Sequence, residues 1–244
     1  MSLLECKSLV FGYGAKKTDA QGLAAPLDFE LAAGEVVSLM GENGCGKSTL
    51  LKTMAGLLSP LSGSVILSGC SSSCPARERA KRVALVRMAG VAPDRMTVRE
   101  FVGLGRTPYA GIFDGHSAED NRIIDESLAL LDLETFAGRW VSELSDGERS
   151  RVYLAMAIAQ QVQVLLLDEP NAFLDIPRSH HLFKILKRLA VERQIGIVVS
   201  THSVEYAEKY SDRLMVVSDR QVRISKTLEA RANGLLDWTC CDSL

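Results

Sequence analysis

Short apolar runs alternate with amphipathic stretches along this chain, and the two periods predict a sheet wrapped in helices. Glu35-Val-Val-Ser-Leu-Met40 reads as a buried strand that runs straight into a glycine-rich turn. Thr49 to Leu58 follows as a predicted helix, stopped by Ser59-Pro60, because proline lacks the N–H that a helix needs. Gly63 to Gly69 reads as a short strand with glycine at both ends, Arg77 to Arg82 as a basic helical stretch, and Val83 to Val86 as another short buried strand. From about Thr97 to Gln161 the pattern turns helical, and Ile123, Ile124, Ser127, Leu128, Leu130 and Leu131 recur at helical spacing. Strand signals return at Val164 to Leu167, Ile195 to Thr201 and Leu214 to Ser218, with a helix over Pro177 to Arg193. This order predicts an α/β chain, a parallel-sheet core carrying a mostly helical insertion. No internal repeat appears, and from about Lys226 onward there is no clear pattern.

Composition narrows the function classes. The chain has 244 residues, 47% of them hydrophobic, enough for one large α/β domain or two small ones with a real core. Formal net charge is -2, so no basic field points to a nucleic-acid partner. Met1-Ser-Leu-Leu-Glu-Cys6-Lys7 lacks the basic start and apolar stretch of a secretory leader. The longest apolar runs, such as Val162 to Leu167 broken by Gln163, are too short to span a bilayer. The expectation is a soluble chain that reaches a membrane only through a partner. Cys6, Cys45, Cys70, Cys74, Cys240 and Cys241 match no standard zinc spacing and are expected to be free thiols.

Three segments carry chemistry. Gly41-Glu42-Asn43-Gly44-Cys45-Gly46-Lys47-Ser48, followed by Thr49, fits G-x-x-x-x-G-K-[ST]. Its glycines let backbone N–H groups converge on phosphate oxygens at a helix start whose dipole favours anions. Lys47 brings positive charge to the β- and γ-phosphates, and the Ser48 hydroxyl is a hard oxygen ligand for Mg2+. In the second segment, Val164 to Pro170, a buried strand ends in Asp168-Glu169 at the sheet edge where open α/β sheets bind ligands. Asp168 is placed to hold Mg2+, and Glu169, alternating away from it, to polarise the attacking water. The third segment is Leu144-Ser145-Asp146-Gly147-Glu148, in which Ser145 and Glu148 predict a capping box. Ser145 and the backbone at Gly147 form a second candidate anion site at a helix N-terminus. Two phosphate sites beside motifs for one complete pocket point to chains that share nucleotide.

In this order the segments resemble an ABC-type ATPase, the motor subunit of ABC transporters, over about Leu4 to Val222. Tyr13 is the aromatic before the first core strand, Leu144 to Glu148 resembles the signature Leu-Ser-Gly-Gly-Gln, Asn171-Ala-Phe-Leu-Asp175 the D-loop, and His202 the switch histidine. The resemblance implies a P-loop NTPase core with an antiparallel β subdomain and a helical insertion over roughly 88–161. The ATPase domain would span 1–225, with a C-terminal tail at 226–244. It implies a head-to-tail dimer in which ATP on Tyr13 and the phosphate loop of one copy is closed over by Ser145 and Gly147 of the other. Asp175 would shape the contact and His202 would sense the γ-phosphate. Implied cofactors are ATP and Mg2+.

The stretch Thr97 to Tyr109 resembles motors of bacterial importers of ferric siderophores, haem and cobalamin. Implied partners are integral-membrane permease subunits and an external substrate-binding protein, at the cytoplasmic face of the inner membrane. Phe101, Leu104, Tyr109, Ile112 and Phe113 read either as a permease docking surface, oriented by Arg99, Glu100 and Arg106, or as core of the insertion. Two other readings stay open: a soluble ABC-type ATPase acting on nucleic acid or ribosomes, and a nucleotide-dependent regulator that does not hydrolyse. The sequence departs from the family pattern at Asp146, Glu148 and Met88. Met88 stands where the family has a glutamine that contacts Mg2+, and a thioether is a poor ligand for that ion. Asp146 is compatible with a nearby phosphate only if it points away.

Overall fold

A computed structural model describes residues 2–13, 21–70, 74–87, 93–110, 115–172 and 174–236. Met88, Ile112, Phe113, Cys240 and Cys241 lie outside them. In chain order come β1 (Ser2–Val10), a small ribbon of β2 (Gly12–Tyr13) and β3 (Gln21–Gly22), β4 (Leu27–Ala32), β5 (Val36–Gly41), α1 (Lys47–Met54) and β6 (Ser62–Leu67). Next are α2 (Ala76–Ala80), β7 (Val83–Arg87), α3 (Val98–Gly103), α4 (Ala118–Ala129) and α5 (Asp146–Ala159). The chain returns to the sheet with β8 (Val164–Asp168), α6 (Ile176–Arg193), β9 (Gly196–Ser200), α7 (Val204–Tyr210), β10 (Arg213–Ser218) and β11 (Gln221–Lys226).

The six-stranded sheet runs β11-β10-β5-β9-β8-β7. Every neighbouring pair in it is parallel except β10 with β11. A separate antiparallel sheet, β4-β1-β6, packs on one of its faces. Alternation along the central strands divides the core. Val164, Leu166 and Val198 meet α1 and the antiparallel sheet, whereas Leu165, Leu167, Ile197 and Val199 meet the helices of the other face. Both faces being covered explains why β8 is an unbroken apolar run ending in an acid.

α3, α4 and α5 pack on one another. Each begins with a reciprocal capping box: Thr97 with Glu100, Ser117 with Asp120, and Ser145 with Glu148. α5 buries more than one face, including Ser150, Val152, Leu154, Ala155, Ala157 and Ala159, because it lies between α3, α4 and β7. Among the described residues no helix is long and apolar enough to cross a membrane.

Several sequence expectations are corrected. The first helix ends at Met54 and not Leu58, because Gly56 adopts a left-handed φ of 75° just past it. β1, β4, α7 and β11 have no counterpart among the elements predicted from the sequence. The stretch after Lys226 is not patternless where described: Ala230, Leu235 and Leu236 are buried against Met40, Leu214 and Val216. Cys70 and Cys74 are joined by a disulfide and are not free thiols, because the chain turns back at Cys70 and brings the two Cα atoms to 5.5 Å. Cys6 and Cys45 are free.

The docking-surface reading fails for Phe101 and Arg106. Phe101 is buried edge-on against Tyr153 at 4.8 Å between ring centroids. Arg106 is only 4% exposed. Its guanidinium donates to Asp120 at 2.7 Å and to the Ala159 carbonyl at 2.8 Å. Tyr109 lies under that guanidinium and donates its hydroxyl to the Gln160 carbonyl at 3.1 Å. Arg99 pairs with Asp125 and Glu100 serves its capping box. Leu104 stays exposed.

Candidate functional site

The parallel strands deliver the candidate residues to one edge. β5 ends at Gly41, β8 at Asp168, β9 at Ser200 and β7 at Arg87, so the site lies beyond the carboxyl ends of the strands. The loop from Gly41 to Gly46 joins β5 to α1, and two of its glycines are sterically required. Gly41 has φ 144°, and a Cβ there would meet the Val217 carbonyl oxygen at 2.4 Å. Gly46, φ 107°, would meet the Leu23 side chain at 2.9 Å. Gly44 faces open space. Lys47 is buried and donates its Nζ to the carbonyls of Gly41 and Glu42, each at 2.8 Å. Asn43 lies on the exposed part of the loop. Burial pushes the Cys45 thiol upward, opposed by the nearby Lys47 charge.

Ser48, at the start of α1, donates its hydroxyl to Asp168 Oδ1 at 3.0 Å. Ser200 donates to the same oxygen at 3.1 Å and accepts the backbone N–H of Glu169 at 2.8 Å. One hydroxyl therefore fixes both acids. Glu169 is a non-glycine residue at φ 51°, a conformation that persists only where surroundings enforce it and that recurs at functional sites. The turn swings its carboxylate away from Asp168 toward His202, whose Nε2 stands 2.9 Å from Glu169 Oε1. Thr201 donates to Asn171 Oδ1 at 3.4 Å. Tyr13, 59% exposed, shares a 2.8 Å hydrogen bond with the Thr49 hydroxyl, which ties it to α1 beside the loop.

The donor set fits a nucleotide and a hard divalent cation. The loop offers an open glycine cradle with a cation at its base. Oxygens of Ser48 and Asp168 stand 3.0 Å apart, the spacing of adjacent ligands around one octahedral Mg2+ bound at about 2.1 Å.

Ser145, Gly147 and Asp175 form a second group. Ser145 caps α5, and its hydroxyl donates to Glu148 Oε2 at 2.7 Å. Asp175 caps α6 by accepting the Arg178 N–H at 2.9 Å. The Arg178 side chain lies against Gly147, 3.2 Å from where a Cβ would stand. Asp146 pairs with Arg149 one helical turn on, so its charge is held by its own helix. Among the described residues no hydrogen bond or ion pair links this group to the loop group. Ser200 was missed at the sequence level, since a serine in an apolar strand carries no motif; its place just before Thr201-His202 was the one available signal.

Known proteins resemble this chain in sequence and fold. The ABC transporter family profile matches residues 24–172. The chain is 34% identical over 223 residues to the probable siderophore transport system ATP-binding protein YusV of Bacillus subtilis, covering 91% of this chain and 79% of that protein. It is 36% identical over 225 residues to the achromobactin transport ATP-binding protein CbrD of Dickeya dadantii, covering 90% and 80%. In three dimensions it is similar to the ATP-binding cassette MJ0796, solved as a dimer in a post-hydrolysis state with ADP and Pi. The TM-score there is 0.78 at 26% identity, over 92% of this chain and 98% of that one. Sequence profile, relatives and fold agree with one another: this chain belongs to the ABC transporter family.

Proposed function

We propose that this chain is the ATP-hydrolysing motor subunit of an importer of iron-siderophore, haem or cobalamin-type chelates. One observation carries the chemical part: Asp168, Glu169, Ser48, Ser200 and His202 converge at the mouth of the phosphate loop. Relatives named as siderophore and achromobactin transport ATP-binding proteins support the cargo class. In this reading the chain works at the cytoplasmic face of a membrane, beneath permease subunits and with an external binding protein beyond them.

The residues divide the work. Tyr13 offers a ring beside the loop for the base. The loop N–H groups bind phosphate oxygens, and Lys47 exchanges its two carbonyl contacts for them. Ser48 and Asp168 hold Mg2+, which when bound neutralises phosphate charge and orients the terminal phosphoryl group. Glu169 accepts the proton of the attacking water, and His202 fixes that carboxylate and reaches toward the γ-phosphate. Ser145, Gly147 and Asp175 act on the nucleotide of a second copy, so that ATP closes the pair and hydrolysis releases it.

Phosphate release from the purified protein and from Glu169→Gln tests the assignment. The variant should bind ATP yet turn over about a hundredfold more slowly. Equal rates would remove Glu169 from this role.

A further inference from the structure

Arg87 closes β7 in direct register with Asp168 at the end of β8. Parallel partners point to the same side of a sheet. Val86 and Leu167, one step back, share the helix-covered face, which leaves Arg87 and Asp168 together on the face of the phosphate loop. The Asp168 carboxylate is nearly buried, with 7% of the side chain exposed, and its two oxygens are used differently. Oδ1 accepts from Ser48 and Ser200. Oδ2 faces Arg87 Nε at 3.5 Å. Lys47, the other nearby cation, is turned onto the loop carbonyls. Among the described residues Arg87 is the one cation in ion-pair distance of Asp168.

We propose that Arg87 is a tethered cation that holds Asp168 when Mg2+ is absent and yields that carboxylate to the metal. This rests on the reading of Asp168 as the Mg2+ carboxylate. Mg2+ beside Ser48 would take Oδ1, and a guanidinium on Oδ2 of the same carboxylate would stand close enough to it for strong mutual repulsion. Metal entry therefore favours an outward swing of the Arg87 side chain, half of it already in solvent at 53% exposure. Without metal, the same charge masks Asp168 from the phosphates, so nucleotide still binds. Arg87 thus trades Mg2+ affinity for tolerance of low Mg2+, as a positioning residue acting through Asp168.

The test is binding of a fluorescent N-methylanthraniloyl ATP analogue, first in EDTA and then across a Mg2+ titration. Wild type, Arg87→Gln, Asp168→Asn and the double variant are compared. Arg87→Gln should bind the analogue about three- to tenfold more weakly in EDTA and reach its Mg2+-loaded affinity at a Mg2+ concentration lower by a similar factor. In the Asp168→Asn background the same substitution should change neither quantity. If Arg87→Gln matches wild type in both while Asp168→Asn loses its Mg2+ response, the proposal falls and the metal assignment stands. If Asp168→Asn keeps the wild-type Mg2+ response, the metal assignment itself falls, and the proposal with it.

Discussion

Ser200 shows how much of the site rests on a single hydroxyl. It donates to Asp168 and accepts from the Glu169 backbone, so it sets the proposed metal carboxylate and the turn that aims the proposed base. Asp168, Glu169, Lys47 and Ser48 were legible in the sequence because their chemistry demands those residue types at fixed spacings. Ser200 was not, because its role depends on which strands become neighbours. Replacing it with alanine leaves the Glu169 N–H without its acceptor at a strained φ. Ser200→Ala should lower the turnover number roughly tenfold while nucleotide affinity stays within about twofold of wild type. Steady-state phosphate release with a parallel binding titration checks this. Unchanged turnover with weakened binding would instead make Ser200 part of the nucleotide pocket.

At the scale of elements, legibility followed burial. β8 and β9 are covered on both faces and read as apolar runs, and their limits were placed within a residue or two. β4 alternates Leu27, Phe29 and Leu31 against Asp28, Glu30 and Ala32, a clear period-two signal. β1 is different. Ser8 has φ 45°, and register shifts against both neighbours break its alternation, so its bulge hides it. Arg106 shows the reverse error: a charge expected on a surface is an internal strut from the end of α3 to α4 and α5. With its Asp120 partner only 15% exposed, removing one member leaves a poorly solvated charge. Arg106→Met should cost about 3 kcal/mol and lower the melting temperature by roughly 6–12 °C. Thermal unfolding followed by circular dichroism measures it. A variant as stable as wild type would show that the pair contributes nothing net.

At the scale of the whole molecule, no hydrogen bond or ion pair among the described residues joins the two groups that the proposed chemistry must unite. The loop group sits at the carboxyl edge of the parallel strands. Ser145, Gly147 and Asp175 cap α5 and α6, with Arg178 and Leu174 packed beside Gly147. The signature segment was legible as a capping box, and the resemblance already implied that it serves the nucleotide of a second copy; its packing beside Arg178 and Leu174 was not legible, since that depends on how the helices seat on the sheet. A similar cassette is solved as a dimer with ADP and Pi, and in the proposed reading each chain carries half of each working site. Sedimentation velocity of Glu169→Gln, with and without Mg-ATP, is the most direct test. The expected result is a monomer without nucleotide or with ADP and a dimer with Mg-ATP, and a monomer throughout once Ser145→Arg is added. Saturation with Mg-ATP while the protein remains a monomer, or a dimer indifferent to both nucleotide and Ser145→Arg, would contradict the shared site.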